Sequence, residues 1–370
     1  MNKVILFSEY FPPAFLAGGP PKSAMNLVNQ LDGEIIFEVY TSDYDLKNTK
    51  KLNVEKNKFI KYLNGSEVIY NSSIGYFINF LKLELNNASS FYLNTFFSIK
   101  WNLIPCIVGF FLNKKIIISP RGQFHLSSLK QKKLKKQIYL FFFKLLIYRK
   151  NIVFHVTDND EYIQIKKIFF DPKIKKISNF INFYKNSPVN KNKDFFFIGR
   201  INKKKNILFF LTSLLQSKIE NFKMDIYGPI EDTNYWKKCL NVIKELNHKN
   251  SVHYCGIINT TKNDKILSKY NFFILPSLSE NFSITTCEAL NNRCIPIITK
   301  NSPWKFIEKK KCGFRFNPKS RMEIISIINK VMKFDKIKKS ILQHKCYLLI
   351  KELEKKNIEL KINYYRLLLN

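Results

Sequence analysis

Cys-x-x-Cys pairs and metal-type clusters of cysteine and histidine are absent from this sequence. The chain has seven cysteines and five histidines, and they form no Cys-x-x-Cys pair and no cluster with the spacing of a metal site. The odd number of cysteines and their scattered positions favour a reducing compartment over a disulfide framework. We therefore predict no disulfide framework and no metal site.

Long apolar runs are also missing. The first run, residues 4–7, is too short for a signal peptide and is followed by Ser8 and Glu9. Two longer runs, at 103–112 and 138–148, reach only about half of the roughly 20 residues that a membrane-spanning helix needs. We expect no transmembrane helix and a cytoplasmic location.

Acidic residues are few. The chain has 28 Asp and Glu against 62 Lys and Arg, which gives a formal net charge of +34. The mutational bias of an AT-rich genome explains much of the lysine content, but the charge still favours anionic partners such as phosphates and acidic lipids. The lysines are spread evenly and form no recognised binding motif, so we predict no nucleic-acid partner.

The order of apolar runs predicts an α/β protein with two domains in 370 residues. Strands are predicted at residues 4–7, 34–41, 116–118, 152–156, 195–198, 223–227, 271–275 and 295–299. Helical stretches between these strands indicate a parallel sheet in each half. A polar stretch at 182–194 is the predicted linker between domains at 1–181 and 195–340.

Two glutamates lie on either side of the start of the helix predicted after the strand at 271–275. Glu280 comes just after the strand at 271–275, and Glu288 lies about two turns into the following helix. The helix start offers N–H groups to a phosphate, and a carboxylate accepts hydrogen bonds from sugar hydroxyls. A helix with an acidic first turn, which is common, is the alternative interpretation.

Two glycine-containing loops follow other predicted strands. Gly199 and Arg200 precede a run of lysines that ends at Lys205, and Arg and Lys side chains neutralise phosphate oxygens. Gly18 and Gly19 follow the first strand and allow the backbone to approach a ligand. A basic loop in a basic protein, and ordinary turn glycines, are the alternatives.

The order and spacing of these motifs resemble glycosyltransferase family 4, a group of retaining enzymes with the GT-B fold. The resemblance covers nearly the whole chain. It is specific at the Gly199–Lys205 loop and at the paired glutamates, and it is supported by these segments: 10–13, 18–23, 119–122, 157–162 and 313–314. The segment at 119–122 resembles members that build bacterial surface polysaccharides.

The resemblance implies two Rossmann-like domains that face a cleft, with the acceptor on the first domain and the donor on the second. It implies three catalytic residues: Glu280, Arg200 and Lys205. The implied donor site comprises Gly18, Gly19, Arg200, Lys205, Glu288 and the backbone of Phe282 and Ser283. Arg121 and His125 are the implied candidates on the acceptor or sugar side. A helix at 341–370 is implied to pack back on the first domain.

Several positions depart from the family pattern. Asn281 and Ser283 replace usual glycines, the segment 291–294 replaces a small glycine-bearing turn, and 178–182 lacks a usual glycine. Neither Asn281 nor Ser283 removes a backbone N–H, so phosphate binding is retained. An inactive member of the family is the alternative.

The predicted function is a retaining, metal-independent transfer of a sugar from a UDP- or GDP-sugar to a lipid-linked or polysaccharide acceptor, with no cofactor. A nucleotide-sugar epimerase and an inactive scaffold in polysaccharide assembly are the alternatives. Asp43 and Asp45 resemble a metal-binding pair, but they stand in a polar stretch at 43–65 and are interpreted as solvated.

A basic and aromatic stretch at 127–150 predicts contact with a membrane surface. Five lysines occupy the first half of this predicted helix, and the second half is aromatic and aliphatic. Basic charge beside exposed aromatics is typical of helices that bind anionic membranes. A solvated basic turn joined to a core helix is the alternative.

Overall fold

The computed structural model describes residues 2–46, 51–72, 87–130, 133–147, 151–181, 191–258 and 263–369. It divides into two compact units. The first unit comprises Met1–Phe180 and Asn357–Asn370, and the second comprises Ile181–Lys356. Residues 182–190 of the predicted linker lie outside the described residues.

The first unit contains an eight-stranded sheet in the order β3-β4-β2-β1-β5-β6-β7-β8. Its strands are β1 Asn2–Phe7, β2 Ile35–Ser42, β3 Phe59–Lys61, β4 Glu67–Asn71, β5 Ser90–Leu93, β6 Lys115–Ile118, β7 Ile152–Val156 and β8 Ile174–Lys176. All neighbouring strands are parallel except β3 and β4. The central strands are apolar because both faces of the sheet are buried.

Helices cover both faces of this sheet. They are α1 Gly19–Gln30, α2 Ile104–Phe111, α3 Leu126–Leu129, α4 Lys133–Ile147, α5 Asn159–Ile168 and, at the end of the chain, α13 Asn357–Leu369, with a π-helical turn at Ile99–Leu103. The predicted single helix at 127–150 was wrong in its bounds, since the described part is split between α3 and α4. Residues 131–132 and 148–150 of that prediction lie outside the described residues.

The second unit contains a six-stranded sheet in the order β11-β10-β9-β12-β13-β14. Its strands are β9 Lys193–Ile198, β10 Lys223–Tyr227, β11 Ser251–Tyr254, β12 Tyr270–Leu275, β13 Ile295–Thr299 and β14 Phe314–Phe316. All neighbours are parallel. Its helices are α6 Ile207–Leu215, α7 Thr233–Leu246, α8 Asn263–Leu267, α9 Ile284–Asn291, α10 Phe306–Lys309, α11 Arg321–Met332 and α12 Lys336–Lys355.

The C-terminal stretch is divided between the two units. Helix α12 buries Leu342, Cys346 and Leu349 in the core of the second unit. Helix α13 buries Tyr364 and Leu367 in the core of the first unit. The part of the predicted 341–370 helix that packs on the first unit therefore begins at Asn357. Among the described helices, none combines the length and the apolar composition required to cross a bilayer.

Candidate active site

The first candidate site lies where the strand order of the second sheet reverses. Strand β9 is followed along the chain by β10 on one side of it, while β12 pairs with its other side. Ligands of such sheets bind in the crevice that this reversal opens at the carboxyl ends of the strands. The loops after β9 and β12 carry the basic motif and the paired glutamates.

Lys205 is held above the end of β9 by a short 3₁₀ turn, Lys203–Lys205. The side chain of Asn202 accepts a hydrogen bond from the Lys205 N–H at 3.1 Å. The next residue, Asn206, has φ 59° and donates from its amide to the carbonyl oxygens of Pro276 (3.1 Å) and Pro318 (2.9 Å). These bonds tie the loop after β9 to the loops after β12 and β14.

Lys205 and Glu280 form an ion pair across the reversal point. Lys205 Nζ lies 2.6 Å from Glu280 Oε1, and the two side chains are only 16% and 9% exposed. Burial alone would raise the pKa of the Glu280 carboxyl. The positive charges of Lys205 and Lys204, together with hydrogen bonds from Lys205 and Ser277, outweigh burial and hold that pKa below its usual value. The Glu280 carboxylate is therefore ionised at neutral pH.

Two glycines allow the strand ends beside this pair to meet. Gly228 follows β10 with φ +131°, and a Cβ on it would lie 2.0 Å from the carbonyl oxygen of Gly199. A Cβ on Gly199 would lie 3.4 Å from Lys205 Cε. Gly228 was not among the predicted site residues, although its place directly after a predicted strand was a usable signal. Both positions favour glycine because the backbones and the lysine stem approach closely.

Arg200 contacts a different carboxylate from Lys205. Its Nη1 lies 3.3 Å from Glu231 Oε2, and its side chain is 32% exposed. Asn202 donates to the same Glu231 oxygen at 2.6 Å. The sequence interpretation missed Glu231, since nothing in its spacing joins it to Arg200. The partial exposure of Arg200 leaves its guanidinium accessible to a phosphate.

Helix α9 carries the remaining predicted residues of the second unit. Ser283 stands at its N-cap with φ 61°, and Ser283 Oγ lies 2.8 Å from Thr286 Oγ1. The carbonyl oxygen of Phe282 accepts a hydrogen bond from Trp304 Nε1. Glu288 lies in the middle of α9 and is 9% exposed. Ser283 thus adopts the left-handed conformation that glycine adopts most easily.

The second candidate site lies at the corresponding reversal in the first sheet, between β1 and β5. Asn94, directly after β5, donates from its amide to Ser8 Oγ (3.0 Å) and to the Pro20 carbonyl (3.3 Å). Gly18 has φ 82° at the N-cap of α1. A Cβ on Gly19 would meet no atom within 4 Å. The backbone at Gly19 therefore borders open space, as expected of a residue that faces a ligand.

The loop that leads to Gly18 is fixed by a carboxylate that we expected to be solvated. Asp45 is 4% exposed, and its two oxygens accept the Leu16 N–H at 3.1 and 3.2 Å. Asp43 is 2% exposed and lies 3.4 Å from Lys56 Nζ. The prediction of solvated Asp43 and Asp45 was wrong, because both carboxylates are buried and contact a lysine and a backbone amide, respectively. The 43–65 stretch, predicted as a loop, also contains β3.

Arg121 spans the ends of β5 and β6. It has φ 56°, and its donors contact Asn94 Oδ1 (2.6 Å), Asn179 Oδ1 (2.6 Å) and Tyr92 Oη (3.1 Å). The side chain is partly exposed. Sequence reasoning missed all three partners, which lie 27 to 58 residues away. These hydrogen bonds therefore hold Arg121 at the carboxyl ends of the strands of the first sheet.

His125 is buried behind the Arg121 loop. It is 3% exposed, and its Nε2 lies 3.0 Å from Asp158 Oδ2. The neighbouring Glu161 accepts the Gly122 N–H at 2.7 Å. Burial, with the negative charge of Asp158, raises the pKa of Glu161 to about 7. Of the two predicted residues on the sugar side, Arg121 is thus the accessible one.

Comparison with known proteins identifies the second unit. Residues 179–345 match the family model for glycosyl transferases group 1. The match contains both the Gly199–Lys205 loop and the paired glutamates. The second unit therefore belongs to the group 1 glycosyltransferases. The predicted family and the predicted enzyme class are confirmed. No protein of curated function matches this glycosyltransferase in sequence.

Solved structures show the fold of this glycosyltransferase. Sucrose-phosphate synthase from Thermosynechococcus elongatus superposes with a TM-score of 0.75 at 14% identity, covering 99% of each chain. HepE from Anabaena, in complex with UDP and glucose, gives 0.73 at 14% identity over 100% of this chain and 99% of that one. WaaG, a glycosyltransferase involved in lipopolysaccharide biosynthesis, gives 0.66 at 12% identity over 97% and 98%. The predicted GT-B fold is confirmed.

Proposed function

We propose that this glycosyltransferase moves a sugar from a nucleotide-sugar to an acceptor hydroxyl with retention of configuration and without a metal. The bond between the sugar C1 and the diphosphate breaks, the acceptor oxygen bonds to C1, and the hydroxyl proton leaves with the diphosphate. The buried Lys205–Glu280 ion pair at the strand-reversal point carries this proposal. It places a cation for the leaving group beside a carboxylate for the sugar hydroxyls.

Charge neutralisation of the departing diphosphate falls to the chain's own groups. Lys205 and the accessible Arg200 supply two positive charges. The N–H groups at the start of α9, next to Ser283, supply aligned dipoles. Preorganised charges of this kind stabilise a developing anion without reorganisation during the reaction. We assign Glu288 on the same helix to the ribose hydroxyls.

We favour UDP as the nucleotide of the donor. The similar HepE structure holds UDP and glucose, and a similar Escherichia coli structure is bound with UDP-2-fluoro glucose. These ligands belong to proteins of low sequence identity to this chain, so the experiment below compares a UDP-sugar with a GDP-sugar. We assign Gly18 and Gly19 to the donor, because Gly19 borders open space, and Arg121 to the sugar or acceptor side, because it lies at the carboxyl end of the first sheet.

We assign a lipid-linked or polysaccharide acceptor of surface polysaccharide biosynthesis. WaaG, which acts in lipopolysaccharide biosynthesis, has a similar fold. Helix α4 supports a membrane-bound acceptor because it has two apolar faces. One packs Phe143 in the core, while the other exposes Leu134, Ile138, Phe141 and Phe142 by 53 to 71%. Exposed lysines at 133, 135 and 144 flank this second face.

These features support the proposal that the enzyme is a peripheral protein at the inner face of a membrane. Flotation with anionic vesicles tests this part of the proposal. We expect Phe141→Ser/Phe142→Ser to lose binding. Met322→Ser/Ile337→Ser removes two similarly exposed apolar side chains from the second unit and is the matched control. Equal flotation of both variants would contradict the assignment to α4.

Product analysis tests the reaction. The enzyme is incubated with UDP-glucose or GDP-mannose, with and without a mixture of lipid-linked acceptors, in the presence of EDTA. We expect UDP release that depends on acceptor and a product with the anomeric configuration of the donor by NMR. An altered sugar formed from donor alone would indicate an epimerase. UDP binding with no turnover in any mixture would indicate a scaffold.

A further inference from the structure

An open groove lies at the opposite end of the first sheet from the candidate site. It encloses about 980 Å³. Its lining includes Ser89 and Asn151, which directly precede β5 and β7, and Lys115, the first residue of β6. The groove therefore borders the amino ends of the strands, whereas Asn94 and Arg121 follow the carboxyl ends. No role in sugar transfer accounts for it.

The groove is lined by positive charge. Five cationic side chains line it: Lys115, Lys173, Lys175, Lys176 and Arg366. The lining as described contains no carboxylate. Lys115 Nζ donates to the Leu367 carbonyl at 2.5 Å, and Lys176 Nζ donates to Asn159 Oδ1 at 2.8 Å. Burial, with the positive charge of Lys175, lowers the pKa of the Lys115 amino group. These cations repel one another, so an anion in the groove would be stabilised.

Protection of a sheet edge explains only part of this arrangement. Strand β8 is an edge strand, and lysines on such strands prevent pairing with other chains. This accounts for Lys175 and Lys176. It does not account for Lys115, which stands on the interior strand β6, or for Arg366, which comes from α13. Cations from three separate elements converge on one space.

Neutral polar groups complete the groove. Asn151 Nδ2 donates to Asn113 Oδ1 at 2.8 Å, and Asn363 lies on the α13 side. Amide and ammonium donors together suit phosphate oxygens, each of which accepts several hydrogen bonds. Because the cations stand on β6, β8 and α13, a single small anion contacts only some of them, whereas two linked phosphates reach more.

We infer that this groove is a second, non-catalytic anion site that binds a ligand with two or more linked phosphate groups. The ligand is either a soluble oligophosphate or the diphosphate headgroup of a lipid. The inference is independent of the proposed function, since no groove residue belongs to the candidate active site.

Calorimetric titration with tripolyphosphate tests the soluble source. All proteins carry Arg200→Ala, which we expect to weaken phosphate binding at the candidate active site. The groove variant is Lys173→Gln/Lys175→Gln/Arg366→Gln, three exposed side chains. The control is Lys237→Gln/Lys238→Gln/Lys244→Gln on α7, which removes the same charge from exposed positions outside the groove.

We expect the groove variant to bind tripolyphosphate about tenfold more weakly, because three charged contacts are lost, and the control to bind as the parent does. Flotation with phosphatidylcholine vesicles that contain a polyprenyl diphosphate tests the lipid source with the same proteins. Groove-dependent binding in the vesicle assay alone would assign the site to a lipid headgroup. Equal behaviour of the groove variant and the control in both assays would overturn the inference.

Discussion

The Lys205–Glu280 ion pair should stabilise the second unit as well as serve the reaction. The two side chains are 16% and 9% exposed, with 2.6 Å between Nζ and Oε1. Removal of one partner of a buried pair leaves an uncompensated charge, which costs about 3–5 kcal/mol. Because Lys205 retains some exposure, we expect Lys205→Met to lower the free energy of unfolding by about 3 kcal/mol.

A double variant separates the cost of the stranded charge from the loss of the pair. In Lys205→Met/Glu280→Gln no charge is left buried, so we expect it to recover more than half of the loss. Urea unfolding followed by the fluorescence of Trp236 and Trp304, both in the second unit, measures these differences in a Trp101→Phe background. A Lys205→Met variant as stable as the parent, or a double variant no better than the single one, would refute the reasoning.

The pH dependence of the pair follows from the lowered pKa of Glu280. A carboxyl with a folded-state pKa below its unfolded value contributes stability that is fully present above the unfolded value. That contribution is lost as pH falls through the folded-state pKa, below the usual value of 4.5. The difference between the parent and Glu280→Gln should therefore be constant near neutral pH and shrink in acid.

Three further predictions concern residues around the candidate site. Gly228→Ala places a Cβ 2.0 Å from the Gly199 carbonyl oxygen, so we expect a loss of at least about 2 kcal/mol in stability and a weakened UDP affinity by calorimetry. Glu161, with a pKa of about 7, should make the first unit less stable as pH rises from about 4.5 through 7; Glu161→Gln should flatten that profile in thermal scans. Asp45→Ala removes the acceptor of the Leu16 N–H, and we expect a loss of about 1–3 kcal/mol and a higher KM for donor.

Each of these predictions has a control or a contradicting result. Gly256→Ala changes a glycine that also has positive φ but has no atom within 4 Å of a Cβ, so it isolates the backbone strain from the clash. A Glu161→Gln profile with the same slope as the parent would assign the pH dependence to other groups. An unchanged KM in Asp45→Ala would show that the loop before Gly18 is fixed by other contacts.

The local apolar pattern predicted four strands of each sheet. Strands β7, β10 and β13 occur at the predicted residues, because apolar residues are in the majority in each strand and most of the side chains are buried. Strand β4, Glu67–Asn71, was missed because its apolar run is short and has polar residues on both sides. Strand β8 was missed because Lys175 and Lys176 stand on an exposed edge of the sheet and interrupt the apolar pattern. Short and edge strands depend on their neighbours more than on their own composition.

The candidate site was predictable in its motifs but not in its pairings. Lys205 and Glu280 were both predicted, yet their contact joins residues 75 positions apart and arises from the strand order. The partners of Arg121 and the burial of Asp45 are long-range in the same way. Local sequence carries no signal for a carboxylate that satisfies a distant backbone amide, so its polar surroundings indicated a solvated loop.

Calorimetric titration of the enzyme with UDP in the presence of EDTA, with Arg200→Ala as the comparison, tests the central claim most directly. A metal-independent diphosphate site in the second unit predicts saturable UDP binding that is at least about tenfold weaker in Arg200→Ala. Absence of UDP binding until magnesium or manganese is added, or equal affinity in both proteins, would contradict it.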